Sequence, residues 1–76
     1  MNVEILTPDK TLFQGEADVL TLPGIEGSFQ ILDRHAPMIA NLGKGAVVVK
    51  QKQQAQSFEV HGGLVEVLNN KVIVLV

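Results

Sequence analysis

Turn-forming residues recur along this chain at intervals too short for helices. They stand at Thr7-Pro8-Asp9-Lys10, Pro23-Gly24, Gly27, residues 33–37, Gly43-Lys44-Gly45, residues 52–56, Gly62-Gly63 and Asn69-Asn70. Between them lie short runs rich in Val, Ile, Leu, Phe and Thr. No stretch carries an uninterrupted amphipathic pattern of helical period, so no helix longer than a turn is expected. Regular short strands separated by turn signals are the pattern of a sandwich or barrel. The expected fold is therefore all-β, with no long helix, in one domain covering residues 1–76.

The runs differ in how many apolar faces they offer. Ser57-Phe58-Glu59-Val60-His61 alternates, with Phe58 and Val60 on one side and the polar residues on the other, as in a half-buried antiparallel strand. Ala46-Val47-Val48-Val49 and Val72-Ile73-Val74-Leu75-Val76 are apolar on both faces. Such a strand is either enclosed in a core or has one face covered by a partner. Asn69-Asn70, between residues 64–68 and 71–76, suits the positive φ angles of a two-residue type I′ hairpin. The polar stretch Gln51-Lys52-Gln53-Gln54-Ala55-Gln56 reads as an exposed hairpin end.

Composition bears on where the apolar surplus goes. Apolar residues make up 46% of the 76 residues and charged residues 18%, against roughly 25% charged in average domains. Mean hydropathy is +0.26. A domain of this size buries only about 60% of the surface its unfolded chain exposes. Either the sandwich is tightly packed or part of the apolar surface faces another subunit. The net charge of −2 and pI near 5.5 give no basic face, and the aromatics are Phe13, Phe29 and Phe58 alone. Both points argue against nucleic acid as a partner. No run approaches the ~18 apolar residues of a membrane span. Met1-Asn2-Val3-Glu4 lacks the basic and apolar regions of an export signal. There is no cysteine, which excludes disulfides and thiolate metal sites.

The residues that could carry chemistry do not combine. His35 and His61 are the only imidazoles, while zinc needs three or four ligands at workable spacing. Asp33-Arg34-His35 sets a cation between two candidate ligands. His35 is expected to fix the loop before Pro37 through a hydrogen bond to backbone. Ser28 or Ser57, His35 or His61, and Asp18 or Asp33 could be assembled into a triad on paper, but no nucleophile elbow supports it. Gly43-Lys44 is followed by Gly45 rather than Ser or Thr, so no phosphate-binding loop is present. Glu16 and Asp18 share a face if their strand is regular, which a solvated face explains. No catalytic residue, metal or cofactor is expected.

What remains is Leu22-Pro23-Gly24-Ile25-Glu26-Gly27-Ser28-Phe29-Gln30-Ile31-Leu32, running through residues 33–34 into His35-Ala36-Pro37-Met38-Ile39-Ala40-Asn41-Leu42. Ile25 lies between glycine-bearing turns, and at least one of Met38 and Ile39 faces outward. This segment resembles the epsilon subunit of F-type ATP synthases. So do Thr11-Leu12-Phe13-Gln14-Gly15-Glu16-Ala17, then Phe58-Glu59-Val60-His61-Gly62-Gly63-Leu64-Val65-Glu66-Val67, then Asn70-Lys71-Val72-Ile73-Val74-Leu75. Each piece is a weak signal alone; in this order and spacing they are specific and cover nearly the whole chain.

The resemblance implies a flattened antiparallel β-sandwich of about ten short strands. It also implies a non-catalytic rotor subunit of a proton-translocating synthase, peripheral on the cytoplasmic face of the bacterial inner membrane. Its expected partners are the gamma subunit and the c-ring, with membrane association only through the complex. Ile25, Glu26, Gly27, Ser28 and Phe29 match the tip that meets the c-ring. Many relatives carry an acidic residue where Ser28 stands, and Glu26 is the nearest carboxylate. Thr7, His35, Ala36, Met38 and Ala40 match the edge that faces gamma. Relatives continue into a two-helix hairpin that brakes hydrolysis and in some binds ATP; with the chain ending at Val76, neither property is expected. The residues alone leave open a free-standing sandwich binding a small ligand or carbohydrate.

Overall fold

The computed structural model describes residues 1–76. Between successive turn signals the backbone runs extended, giving β1 (Asn2–Leu6), β2 (Thr11–Glu16), β3 (Val19–Gly24), β4 (Gly27–Leu32), β5 (Met38–Leu42), β6 (Gly45–Gln51), β7 (Gln54–Val60), β8 (Gly63–Leu68) and β9 (Lys71–Leu75). The count is nine against the expected ten or so, and there is no helix. The interval between β4 and β5 stays a turn, with Arg34 at φ 65°.

The strands form one curled sheet in the order β2-β1-β9-β8-β5-β3-β6-β7, with β4 added on β3. All pairings are antiparallel except that of β1 with β9, which is parallel. No hairpin joins these two strands, so no short turn forces them antiparallel. Their register sets Val3 beside Val72 and Ile5 beside Val74, and all four side chains are fully buried. β3 changes partners along its length: its first half pairs with β6 and Gly24, its last residue, with Leu42 of β5. This change turns the sheet back on itself and makes two layers from one sheet. At the far ends of the curl, Phe13 of β2 meets Phe58 of β7 edge to face, with centroids 6.2 Å apart.

The fifteen buried residues are all apolar, from Met1, Val3 and Ile5 to Val72 and Val74. Their source is the period-two alternation of each strand. Val47 and Val49 point in while Ala46 and Val48 lie at the half-buried outer face. Phe58 and Val60 turn inward and Ser57, Glu59 and His61 outward, as their alternation predicts. The Asn69-Asn70 turn has φ angles of 52° and 59°, and it joins Leu68 to Lys71 as the pattern requires. The polar stretch after Lys50 is the tip of the β6–β7 hairpin, with Gln51 opposite Gln54.

One expectation fails. Glu16 and Asp18 do not share a strand face, because β2 ends at Glu16 and Ala17 is buried. Asp18 instead accepts the Lys52 backbone N–H at 2.7 Å across the β6–β7 turn. That bond holds Lys52 at φ 56°. Gly63, at φ +150°, allows β8 and β9 to meet: a Cβ there would overlap the Leu75 carbonyl oxygen and approach Val76 Cγ1 to 3.0 Å.

Candidate protein-docking surfaces

The tip of the β3–β4 hairpin is a two-residue turn, Ile25-Glu26, between the facing residues Gly24 and Gly27. Gly24 lets the strands close tightly, since a Cβ there would lie 2.6 Å from the Gly27 carbonyl oxygen and 2.9 Å from the Phe29 ring. Closing the turn this tightly lifts Ile25 off the body, where it is 66% exposed. Glu26, Gly27 and Ser28 are also exposed, and Phe29 is half-buried against the core. Ile25 through Phe29 therefore form one continuous projection. Beside it lies a shallow, open depression whose other wall is Met38, Ala40 and Asn41 of β5. The structure thus brings Met38 and Ala40 next to the hairpin tip. Both are packed against the core, and of the Met38-Ile39 pair it is Ile39 that faces water, 66% exposed.

The other members of the gamma-facing set lie apart. His35, Ala36 and Pro37 are exposed in the loop that enters β5. This loop stands at the Met38 end of β5, beyond Val67 of β8, its register partner. His35 Nδ1 is 2.7 Å from the Ala36 carbonyl oxygen. A carbonyl only accepts, so Nδ1 carries the proton. The backbone hydrogen bond expected for His35 is thus present. Thr7 follows Leu6, which pairs with Leu75 at the opposite end of the sheet. Its hydroxyl accepts the N–H groups of Asp9 and Lys10 at 3.2 and 3.0 Å and so shapes its own turn.

Asp33 and Asn70 anchor the 35–37 loop. Asp33 Oδ1 accepts from the Met1 ammonium at 2.7 Å and from Asn70 Nδ2 at 3.0 Å. The ammonium also donates to the Ala17 carbonyl at 3.1 Å and lies 3.4 Å from Glu16 Oε1. Its hydrogen bond with Asp33 raises its pKa above the ordinary α-amine value, and that bond, followed by the one from Asn70, lowers the Asp33 carboxyl below the usual carboxylate range.

One apolar surface escaped residue-by-residue reading. On the outer face of β1, β9, β8 and β5, the register places Leu6, Leu75, Leu64 and Asn41 in one cross-strand row. The next row is Glu4, Ile73, Glu66 and Ile39. Leu68, 52% exposed, and Leu75, 46% exposed, extend the face. Lys71 Nζ pairs with Glu4 Oε1 at 3.1 Å on its border. The signal for this face was the doubly apolar run 72–76; what the sequence lacks is the register that joins it to Leu6, Ile39 and Leu64. No group of three His, Asp or Glu side chains gathers to hold a metal, and no buried side chain is polar.

Comparison with known proteins gives these surfaces a context. The model of the ATP synthase delta/epsilon chain β-sandwich domain matches residues 1–76. The ATP synthase epsilon chain of Leptospira borgpetersenii is 41% identical over 75 residues, covering 99% of this chain and 59% of that one. That of Salinibacter ruber is 43% identical over 84 residues, with 99% and 56% covered. That of Chlorobium limicola is 40% identical over 74 residues, with 96% and 84% covered. The chain thus spans less than two thirds of the first two relatives and most of the third. In fold, a chain from the central stalk and c-ring of the Tetrahymena thermophila mitochondrial ATP synthase superposes with a TM-score of 0.80 at 23% identity, covering 97% of this chain and 60% of that one. A chain from the Euglena gracilis mitochondrial ATP synthase gives 0.89 at 18% identity, covering 96% and 48%. None of these comparisons points to a carbohydrate- or small-ligand-binding module. The chain belongs to the ATP synthase delta/epsilon family and constitutes its β-sandwich domain.

Proposed function

We propose that this domain is a non-catalytic part of the central stalk of a proton-translocating F-type ATP synthase. It links the gamma subunit to the membrane c-ring and so helps couple proton flow to ATP synthesis. The observation that carries the reading is the exposed apolar face of β1, β9, β8 and β5, on a chain matched over its whole length by epsilon relatives. A stalk subunit works by staying attached while torque passes through it, and burial of apolar area supplies that attachment. Gamma covers this face and the adjoining 35–37 loop, with Met38 and Ala40 beneath it and Thr7 at its far end. The projection from Ile25 to Phe29 reaches the c-ring, presenting one isoleucine and the Glu26 carboxylate. The domain sits peripherally at the cytoplasmic face of a bacterial membrane, held there by the complex.

Titration of the 76-residue chain with the purified gamma subunit of the same organism tests the reading. Saturable binding at micromolar concentration or below is expected. No heat and no co-elution at ten times that concentration would remove the stalk assignment.

A further inference from the structure

The turn between β8 and β9 contains a residue that the turn itself does not need. A two-residue type I′ loop is served best by Asn followed by Gly, because both positions require positive φ. Here the second position is Asn70, held at φ 59°. Its side chain does not face its own hairpin. Oδ1 accepts the Arg34 backbone N–H at 2.7 Å, and Nδ2 donates to Asp33 Oδ1 at 3.0 Å. One carboxamide thus grips two successive residues, thirty-six and thirty-seven positions away. The residue it grips by the backbone, Arg34, is itself in the left-handed region at φ 65°, which a residue with a side chain rarely adopts. The turn at Arg34 is closed only by the His35 N–H donating to the Leu32 carbonyl at 3.2 Å. The three residues beyond it, 35–37, are exposed and belong to no strand.

We propose that Asn70 is the positioning residue of the gamma-facing loop. Its carboxamide straps the Asp33-Arg34 turn to the β8–β9 turn, and so fixes the direction in which His35 and Ala36 leave the body. The gamma half of this inference rests on the stalk reading above; the strap itself rests on hydrogen bonds within the chain. Asn70 meets both demands because its short carboxamide offers an acceptor and a donor on one planar group. Aspartate would lose the donor and set a second carboxylate against Asp33. Glycine would keep the turn and lose the strap.

That last difference provides the test. Asn70→Gly creates the preferred Asn-Gly turn, so the hairpin persists, and the backbone bond from Asn2 N–H to the residue-70 carbonyl remains available. Asn69→Gly alters the same turn without touching the strap. Each variant of the 76-residue chain is compared with the parent by hydrogen exchange at the Arg34 amide and by calorimetric titration with gamma. Freeing the backbone of one or two loop residues costs order that binding must restore. Asn70→Gly should therefore speed Arg34 exchange and weaken gamma binding, each by about tenfold or more, while Asn69→Gly leaves both within about twofold. Parent-like exchange and affinity in Asn70→Gly would overturn the proposal, as would equal losses in Asn69→Gly, which would assign the effect to the turn. If the parent chain itself fails to bind gamma, the stalk reading falls, and the exchange measurement alone decides the strap.

Discussion

Replacing Ile39 should separate docking from folding. Ile39 is 66% exposed in the free chain, so about two thirds of its apolar side chain remains to be covered by a partner. Full burial of an isoleucine is worth roughly 1.5–3 kcal/mol. The uncovered part therefore contributes about 1–2 kcal/mol, and Ile39→Ala should weaken gamma binding roughly 5- to 30-fold. Ile39→Asp should do more. Glu66 is the register partner of Ile39 on β8, so the new carboxylate would stand beside an existing one. Covering both without a cation costs several kcal/mol, and binding should fall by more than about a hundredfold. Folding is a separate matter. In the free chain the side chain at position 39 reaches water, so the loss of stability should stay within about 1 kcal/mol, set by strand preference. For a domain of this size that is a shift in Tm of about 4–8 °C or less. Met38 is the wrong probe despite its match to the gamma-facing set. It is partly buried against the core, so a charge there would also cost stability and blur the readout. The assay is calorimetric titration with gamma alongside thermal melts followed by circular dichroism. Parent-like affinity in Ile39→Asp would move the interface off this sheet face. A Tm drop well beyond 8 °C would instead show that position 39 is structural.

Three further outcomes follow from other parts of the molecule. Gly63→Ala should lower stability by about 3 kcal/mol or more, since its Cβ would meet the Leu75 carbonyl in a left-handed backbone; a denaturant midpoint within error of the parent would show that β8 and β9 separate freely. Leu22→Ala, at a fully buried site, should lose about 2–5 kcal/mol by the same measurement, and a loss below 1 would mean the core collapses to fill the gap. The Met1–Asp33 pair gives a pH dependence with two edges. The amine pKa is raised on folding, so its contribution is complete below the unfolded α-amine value and is lost as pH rises through the folded one; the Asp33 pKa is lowered, so its contribution is complete above the unfolded carboxyl value and is lost as pH falls through the folded one. Asp33→Asn should flatten the Tm profile at both the alkaline and the acid edge, and a profile parallel to the parent's at both would exclude the pair as the source.

Much of the fold is legible in the chain because its local signals agree. Turn residues mark each hairpin, Asn69-Asn70 supplies the φ angles its loop requires, and the alternation of residues 57–61 identifies the inner face of β7. What cannot be read is pairing between strands that are distant in sequence. The parallel contact of β1 with β9 leaves no local mark, because neither run records its neighbour. The same gap hides the docking face. Ile39, Leu64, Ile73 and Leu75 are separate hydrophobic residues in the sequence, and only the register between β5, β8 and β9 makes them one surface. Asn70 shows the limit most sharply. As a turn residue it is obvious, while its hold on Arg34 depends on two turns meeting across thirty-six residues. Strand alternation also resolves the Met38-Ile39 pair: each turns its side chain to the opposite face, and burial of Leu42 on the same parity as Met38 decides which one faces water.

The two layers of the sandwich differ in a way that bears on which of them docks. On the outer face of β4, β3, β6 and β7, the register sets Gln30, Thr21, Val48 and Ser57 in one row, with Gln30 Nε2 donating to Thr21 Oγ1 at 3.4 Å. Ser28 and Glu59 stand nearby on the same face, and the adjoining row holds Leu32, 53% exposed, beside Val19 and Lys50. The polar groups among these are satisfied by water, and on the edge strand β7 they also discourage pairing with other sheets. The outer face of β1, β9, β8 and β5 gathers more large aliphatic side chains, Leu6, Leu64, Leu68, Ile73, Leu75 and Ile39, around Glu4 and Glu66. Both layers share one core, so the needs of folding do not account for the contrast; an apolar outer face adds little to the stability of a free domain and exposes it to aggregation. The contrast is explained if one layer remains in water and the other is covered in the assembled stalk. Substitutions such as Val48→Glu on the β4-β3-β6-β7 layer should then leave gamma binding intact where Ile39→Asp abolishes it.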